Sequence, residues 1–368
     1  MPRKRKKGVK IGAVAVTAAI IAVVVFAASI FINDNKAVKV SSLGIKNAEK
    51  IYSCGNDIIT YDGMNYCRYS TGKKQTVFSR SVASSTADVC GSSGINVVFN
   101  GNAMNIVGSR DTIEFEGAIS KVECGGDFAA VFEKSDLTSG VLHVFNSLGN
   151  ELRTLDFSSS VLTDFGFESK SGSVLWTVEL ITAGDCISSS VTTYDLSRNS
   201  VTGVMTVQGQ LVENIFFTES SVFVFCTREI IRFDRKTNKE VYSLLSYGYN
   251  CNDNGFSVGK NGVCCFVLMS EAESSRHIKL LKVKQNDAPG ESSLTIYAPE
   301  DMLECASIGG SLVIITTNSI EKYSTGGEKE QVTEFNYQID RVFFLENGNF
   351  VVLGNGEFSL CKLRTKIL

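Results

Sequence analysis

IIRFDRKTNKEVYSLL, residues 230–245, holds the pattern that decides the fold. β-Branched and apolar residues run into an aromatic, Phe233, and a short polar turn with Asp234, Thr237 and Asn238 follows. A second strand-like run starts at Glu240. Apolar alternation on both sides of an Asp/Asn turn is the pattern of a β-hairpin. Aspartate at the first position of a type I turn bonds the backbone beyond it, so Asp234, and Asp195 at the matching place, read as turn formers rather than catalytic groups.

The same pattern recurs along the chain. Aligned on the residue before the turn, the copies fall at Tyr69, Val107, Phe145, Tyr194, Phe233, Val283, Tyr323 and Leu363, with intervals of 38, 38, 49, 39, 50, 40 and 40 residues. Two further alternating runs precede each copy, as KIYSCGN and DIITYDG precede Tyr69. Each unit therefore predicts a four-stranded antiparallel meander of about 40 residues, the repeat of a β-propeller. The fold class is all-β, a propeller of about eight blades, with seven the alternative. AVKVSSLG, residues 37–44, has no blade of its own, while the eighth copy ends one strand short. The economical expectation is that 37–44 closes the last blade and removes an open sheet edge.

The amino terminus reads differently. Residues 1–10, MPRKRKKGVK, carry six bases and no acid, and residues 11–32 carry no charge. Twenty-two helical residues span roughly 33 Å, enough for a bilayer core of about 30 Å. A cleaved signal peptide has a shorter apolar core, and a buried soluble helix is rarely apolar all round. The expectation is one transmembrane signal anchor, with 1–10 cytoplasmic and 33–368 extracytoplasmic by the positive-inside rule. Outside the head, 30 bases face 39 acids, a net of −9. A domain of that sign is not steered towards nucleic acid.

Motifs that carry chemistry are scarce. The sequence has no GxSxG elbow, HExxH, P-loop or paired-cysteine zinc motif, and the two histidines, His143 and His277, are far apart. Cys54, Cys90, Cys124 and Cys305 recur near the end of the first strand of a blade, where a small buried hydrophobe fits; a thiolate or metal role near the axis is the competing reading. The adjacent Cys264 and Cys265 point to opposite faces of a strand and read as free thiols. NCNDNGFSVGKN, residues 250–261, has partial spacing of a calcium loop but ends in Asn261 where a bidentate Glu is needed, so it reads as a turn. Trp176 alternates with Val174 and Val178 and reads as core rather than a sugar-stacking platform. No metal or cofactor is expected.

One asymmetry stands out. Connections between second and third strands lengthen at 133–140, 180–190 and 269–276, which brings Asp136, Asp185, Glu271, Glu273 and Arg276 to one face as candidate partner-binding residues. Length drift in surface loops is the competing reading. The turns of the opposite face read as short and uniform.

The turns FDRKTNKEV and YSTGKKQ resemble those of PQQ-like propeller repeats. With the basic head and anchor, the whole chain is similar to a family of single-pass membrane-anchored PQQ-like propellers of Gram-positive, mostly anaerobic bacteria. The resemblance implies a fold and a location and names no activity. The chain lacks the length and blade-docking tryptophans of quinoprotein dehydrogenases, which argues against a quinone. The expected function is a non-enzymatic binding or scaffold protein at the cell envelope, with an envelope protein or cell-wall component as partner. The alternative is a quinone-dependent oxidoreductase or glycan-processing enzyme that uses the central channel.

Overall fold

The computed structural model describes residues 36–364, apart from 46–47, 49, 82–86, 110, 136–138, 184–185, 260, 273–275, 285–291 and 325. The basic head and the apolar segment 11–32 lie outside the described residues. Among the described residues, no helix is long and apolar enough to cross a membrane.

Eight antiparallel sheets follow one another along the chain. Blades 1 to 7 span residues 50–81, 88–114, 118–156, 161–208, 212–245, 249–297 and 302–334. Blade 8 takes three strands from 339–363, and its fourth is Val38–Ser42, paired antiparallel with Glu357–Leu363. In blade 6 the first strand is broken into Tyr249–Asn250 and Phe256–Val258, both on Val263–Ser270. The residues between them include part of the calcium-like stretch, and their polar groups serve the next blade. Asn252 Nδ2 donates to Glu304 Oε1 at 2.7 Å, and Ser307 N donates to Asn254 O at 2.8 Å.

The opening stretch shows why such sheets stack. In blade 5 the second strand, Ser221–Cys226, is buried along its whole length, and Ile230–Phe233 of the third strand is buried too. The outer strand Glu240–Leu245 buries only Tyr242 and Leu244. Middle strands thus need cover on both faces, and each neighbouring blade supplies one. Eight apolar clusters result, one between each pair of adjoining blades, including one that joins blade 8 to blade 1. That last cluster, with Leu345, Val351, Phe358 and Leu360 against Leu43, Ile51, Ile58 and Tyr69, closes the ring at eight blades. Each fully buried Phe, such as Phe223, Phe225 and Phe266 between blades 5 and 6, contributes about 1.5–3 kcal/mol.

The turn that begins at Asp234 is the local device that makes the outer hairpin. Asp234 Oδ1 accepts from Thr237 N and Thr237 Oγ1, both at 2.8 Å, and Asn238 N donates to Asp234 O at 2.8 Å. Asn238 sits at φ 56°, a left-handed position that asparagine tolerates, and the register shifts between Arg232 and Phe233. Asp195 repeats the arrangement with Ser197 and Arg198, followed by Asn199 at φ 50°. Hydrogen bonds from Thr237 hold the Asp234 carboxyl below the usual carboxylate range, and those from Ser197 do the same for Asp195. Both aspartates are turn residues.

Candidate functional site

The meander defines two faces. Second-to-third hairpins and the crossings between blades lie on one, called the upper face; first-to-second and third-to-fourth turns lie on the other. First strands line the axis and surround a cavity of about 980 Å³. It extends from Glu213, at the upper end of the first strand of blade 5, to Lys170 and Glu346 in lower-face turns.

The charges in this cavity are paired with one another. Lys121 Nζ lies 2.6 Å from Asp164 Oδ1 and 3.5 Å from Glu123 Oε1, and Lys170 Nζ lies 3.1 Å from Glu123 Oε2. Glu168 receives both guanidinium nitrogens of Arg235, at 2.6 and 2.8 Å. Glu213, Asp253 and Glu346 are the exceptions among the lining residues: Asp253 accepts from Asn214 Nδ2 and Glu346 from Lys170 N, while burial first and the nearby charge of Glu271 second raise the pKa of Glu213. Trp176 also lines the cavity, half-buried, and packs on the cluster between blades 4 and 5. Its indole lies against Gly166, where an added Cβ would come within 2.7 Å of Cζ2. Among the described residues, no group of three or more His, Cys, Asp or Glu is arranged to hold a metal ion.

The lower face is not short and uniform, contrary to the sequence reading. The connection between the first and second strands of blade 4, residues 168–173, reaches across to other blades. Lys170 O accepts from Ser93 N of blade 2 and Gly126 N of blade 3, both at 3.1 Å. Lys170 N donates to Glu346 Oε1 of blade 8, and Glu346 N donates to Gly55 O of blade 1 at 3.2 Å. Gly126, at φ 53°, sits so close to this connection that a Cβ there would come 2.9 Å from Gly172 O. Five blades are thereby tied near the axis. The run ESKSGS is polar and has no alternation, so nothing in it signalled this reach.

On the upper face, Glu271 and Arg276 are exposed at either end of the connection between Val263–Ser270 and His277–Lys284. Glu271 N donates to Gly248 O at 3.0 Å, and Arg276 Nη1 lies 3.2 Å from Glu300 Oε1. Asp136, Asp185 and Glu273 lie outside the described residues. Residues 180–183 and 186–190 are strand rather than loop: Val174–Ala183 and Cys186–Asp195 stay paired through Ala183 and Cys186. Ile181, Thr182 and Ile187 favour strand, so the extra length lengthens the hairpin itself.

Sequence reading missed what lies beside these residues. Ile181, Ile187, Leu211, Leu245, Tyr247, Tyr297 and Leu303 are exposed apolar side chains, all in upper-face hairpins or blade crossings of blades 4 to 7. Backbone hydrogen bonds hold the upper-face hairpins of blades 4 and 5 against the crossings beside them. Gly209 N donates to Ile187 O at 2.8 Å, Thr227 N to Leu211 O at 3.1 Å, and Ser246 N to Arg228 O at 2.9 Å. Towards the lower face the exposed apolar side chains are Leu148, in a turn, and Leu152, Val201, Val241 and Val258 at strand ends.

No family model matches the chain, and no curated protein matches it. Solved structures do. BamB from Moraxella catarrhalis aligns at 8% identity and TM-score 0.54, over 89% of this chain and 99% of that one. The C-terminal WD40 domain of Sif2 aligns at 11% and 0.56, over 90% and 99%. The WD40 domain of SCAP from fission yeast aligns at 10% and 0.60, over 90% and 100%. At these identities the likeness is one of fold. The chain is an eight-bladed β-propeller.

Proposed function

We propose that this chain is a membrane-anchored, extracytoplasmic propeller that binds an envelope protein or cell-wall component through its upper face and performs no catalysis. The observation that carries the binding role is the apolar patch from Ile181 and Ile187 through Leu211, Leu245 and Tyr247, bordered by Glu271 and Arg276. Exposed apolar side chains gathered on one face of a rigid scaffold, with charges beside them, are what protein recognition uses. The six bases of residues 1–10 and the uncharged stretch 11–32 support the location. So does the resemblance to PQQ-like anchored propellers of Gram-positive, mostly anaerobic bacteria. Lys121, Lys170 and Arg235 are each held by a carboxylate, which favours a structural role for the axial charges over the alternative of an enzyme in the channel.

Two measurements test this reading. Protease added to intact protoplasts should digest residues 33–368; protection would reverse the topology, and a domain found free in the medium would mean cleavage. A photo-crosslinker at position 247 should capture a discrete envelope partner that the same group at position 148 does not. Equal capture from both positions would refute the upper-face site.

A further inference from the structure

The outer strand of blade 8 fixes where the amino-terminal segment enters the propeller. Val38 stands opposite Leu363 and Ser42 opposite Ser359, so Val38–Ser42 runs from the lower face towards the upper face. The uncharged stretch ends at Ile32, and Ala37 is already buried between blades 7 and 8. Five extended residues reach at most about 18 Å. On the anchored reading, on which this inference rests, the lower outer rim of blade 8 is therefore tethered within that distance of the membrane segment.

The side chains at that rim form an unusual join. Between blades 3 and 4 and between blades 4 and 5, the fourth strand of one blade hydrogen-bonds to a left-handed residue in the third-to-fourth turn of the next. Arg153 Nη2 donates to Asn199 Oδ1 at 2.7 Å, and Asn238 Nδ2 donates to Thr202 O at 3.2 Å. Between blades 8 and 1 the corresponding places hold Lys39 and Lys74. Lys39 stands opposite Lys362, one pair from Leu363, as Arg153 stands opposite Val144, one pair from Phe145. Lys74 sits at φ 55° and its N–H donates to Ser70 O at 2.8 Å; Asn238 sits at φ 56° and its N–H donates to Asp234 O at 2.8 Å.

Folding alone favours other residues at these places. Like charges directly opposite in an antiparallel ladder are destabilising, and Lys39 and Lys362 are such a pair. Lysine gains nothing at a left-handed position, which asparagine tolerates through its short polar side chain. Lys39, Lys73, Lys74 and Lys362 are exposed, and among the described residues none has an ion-pair partner. Neither Val38–Ser42 nor the turn 71–74 contains an acid. An anionic surface offsets this repulsion, and the surface within reach of the tether is the headgroup layer of the membrane. We propose that Lys39, Lys73, Lys74 and Lys362 form a docking rim for anionic phospholipid headgroups, whose phosphates accept hydrogen bonds from the ammonium groups. The propeller then rests on the membrane by the outer edge of blades 8 and 1 and leaves its upper face open to a partner.

The test uses the full-length protein in vesicles of phosphatidylglycerol with phosphatidylcholine, or of phosphatidylcholine alone. Lysines are acetylated in a short pulse and the peptides are mapped. Phosphatidylglycerol should slow acetylation of Lys39, Lys74 and Lys362 several-fold. Salt at about 1 M, where the screening length falls to about 3 Å, should remove the protection. Lys134, at the upper end of the second strand of blade 3, should react equally in both lipids. Lys39→Gln with Lys362→Gln should stay folded and lose most of the protection at Lys74. If that pair does not fold, the unaltered chain and Lys74→Asn, read at Lys39 and Lys362, still decide. A chain that floats with neither vesicle removes the anchored reading and this inference with it. A chain that floats but is acetylated alike in both lipids overturns the docking rim alone. Equal protection of the detergent-solubilised protein by inorganic phosphate would overturn the assignment to a lipid surface.

Discussion

Arg235 grips Glu168 with both guanidinium nitrogens, at 2.6 and 2.8 Å, and so joins the outer turn of blade 5 to the connection that crosses the axis from blade 4. The same Arg235 Nη1 donates to Thr218 O at 2.9 Å, which fixes the guanidinium from blade 5. A bidentate pair of this kind, two-thirds or more buried on both sides, exceeds an exposed ion pair in value. A double-mutant cycle with Arg235→Ala and Glu168→Ala should give a coupling of about 1 kcal/mol by denaturant unfolding. A coupling near zero would mean that the connection 168–173 is held by its backbone bonds alone.

Val38 stands opposite Leu363 in the ladder that closes blade 8, and its N–H also donates to Thr333 Oγ1 of blade 7 at 3.1 Å. Ala37 and Val38 are buried in the cluster between blades 7 and 8. Deleting residues 37–44 removes that cover and exposes the edge of Glu357–Leu363. The loss should be about 3–5 kcal/mol in unfolding free energy, from lost burial and ladder bonds together. An unchanged melting temperature would show that the ring does not depend on this strand.

Gly125 packs against the ring of Phe167 across the boundary between blades 3 and 4, where a Cβ would come within 2.3 Å of Cγ. Its neighbour has no room to yield without moving the first strand of blade 4. Gly125→Ala should therefore destabilise by about 1–3 kcal/mol, as overpacking does elsewhere. A neutral result in thermal unfolding would place slack between these blades that the packing does not show.

Buried thiols set the alkaline limit. Burial pushes Cys54 up to about 11, and Cys226, Cys305 and Cys361 up to about 12. Unfolded thiols titrate near pH 8.5, so above roughly pH 9 the unfolded chain has lost protons that the folded chain keeps. The unfolded state then binds fewer protons, and stability falls as pH rises, by at most about 1.4 kcal/mol per pH unit per thiol. The contribution is fully present below pH 8.5 and is lost through the window up to the folded values. Denaturant midpoints between pH 8 and pH 10.5 should drop steadily, and Cys361→Ala should make the drop shallower. A flat profile would mean that these thiols ionise as easily in the folded protein.

The architecture was legible because its signals are local and repeated. Alternation around Tyr69, Phe145, Tyr194, Phe233 and Tyr323 marks a hairpin each time, and Asp234 and Asp195 form the turns that their spacing implies. Contacts between blades were not legible, because they depend on side chains brought together by the ring. Arg235 and Glu168 are 67 residues apart in different repeats, and no periodicity links them. The first-strand position of Cys90 and Cys124 was readable from recurrence. The recurrence marks the same packing role for Cys124, in the cluster between blades 2 and 3, and for Cys305, in the cluster between blades 6 and 7. The upper-face loops were noticed for their acids, whereas the apolar patch on blades 4 to 7 escaped notice because Leu245 and Tyr247 read as ordinary strand and crossing residues.

The binding face carries the account, and affinity for a crosslinked partner tests it most directly. Leu245→Ser with Tyr247→Ser should weaken binding of that partner by at least about tenfold, because exposed apolar and aromatic anchors dominate such surfaces. Leu148→Ser, in the lower-face turn between the third and fourth strands of blade 3, should leave the affinity unchanged. Circular dichroism should confirm that both variants stay folded. Affinity that survives the loss of Leu245 and Tyr247, or that falls with Leu148, would contradict the assignment of the upper face as the site of recognition.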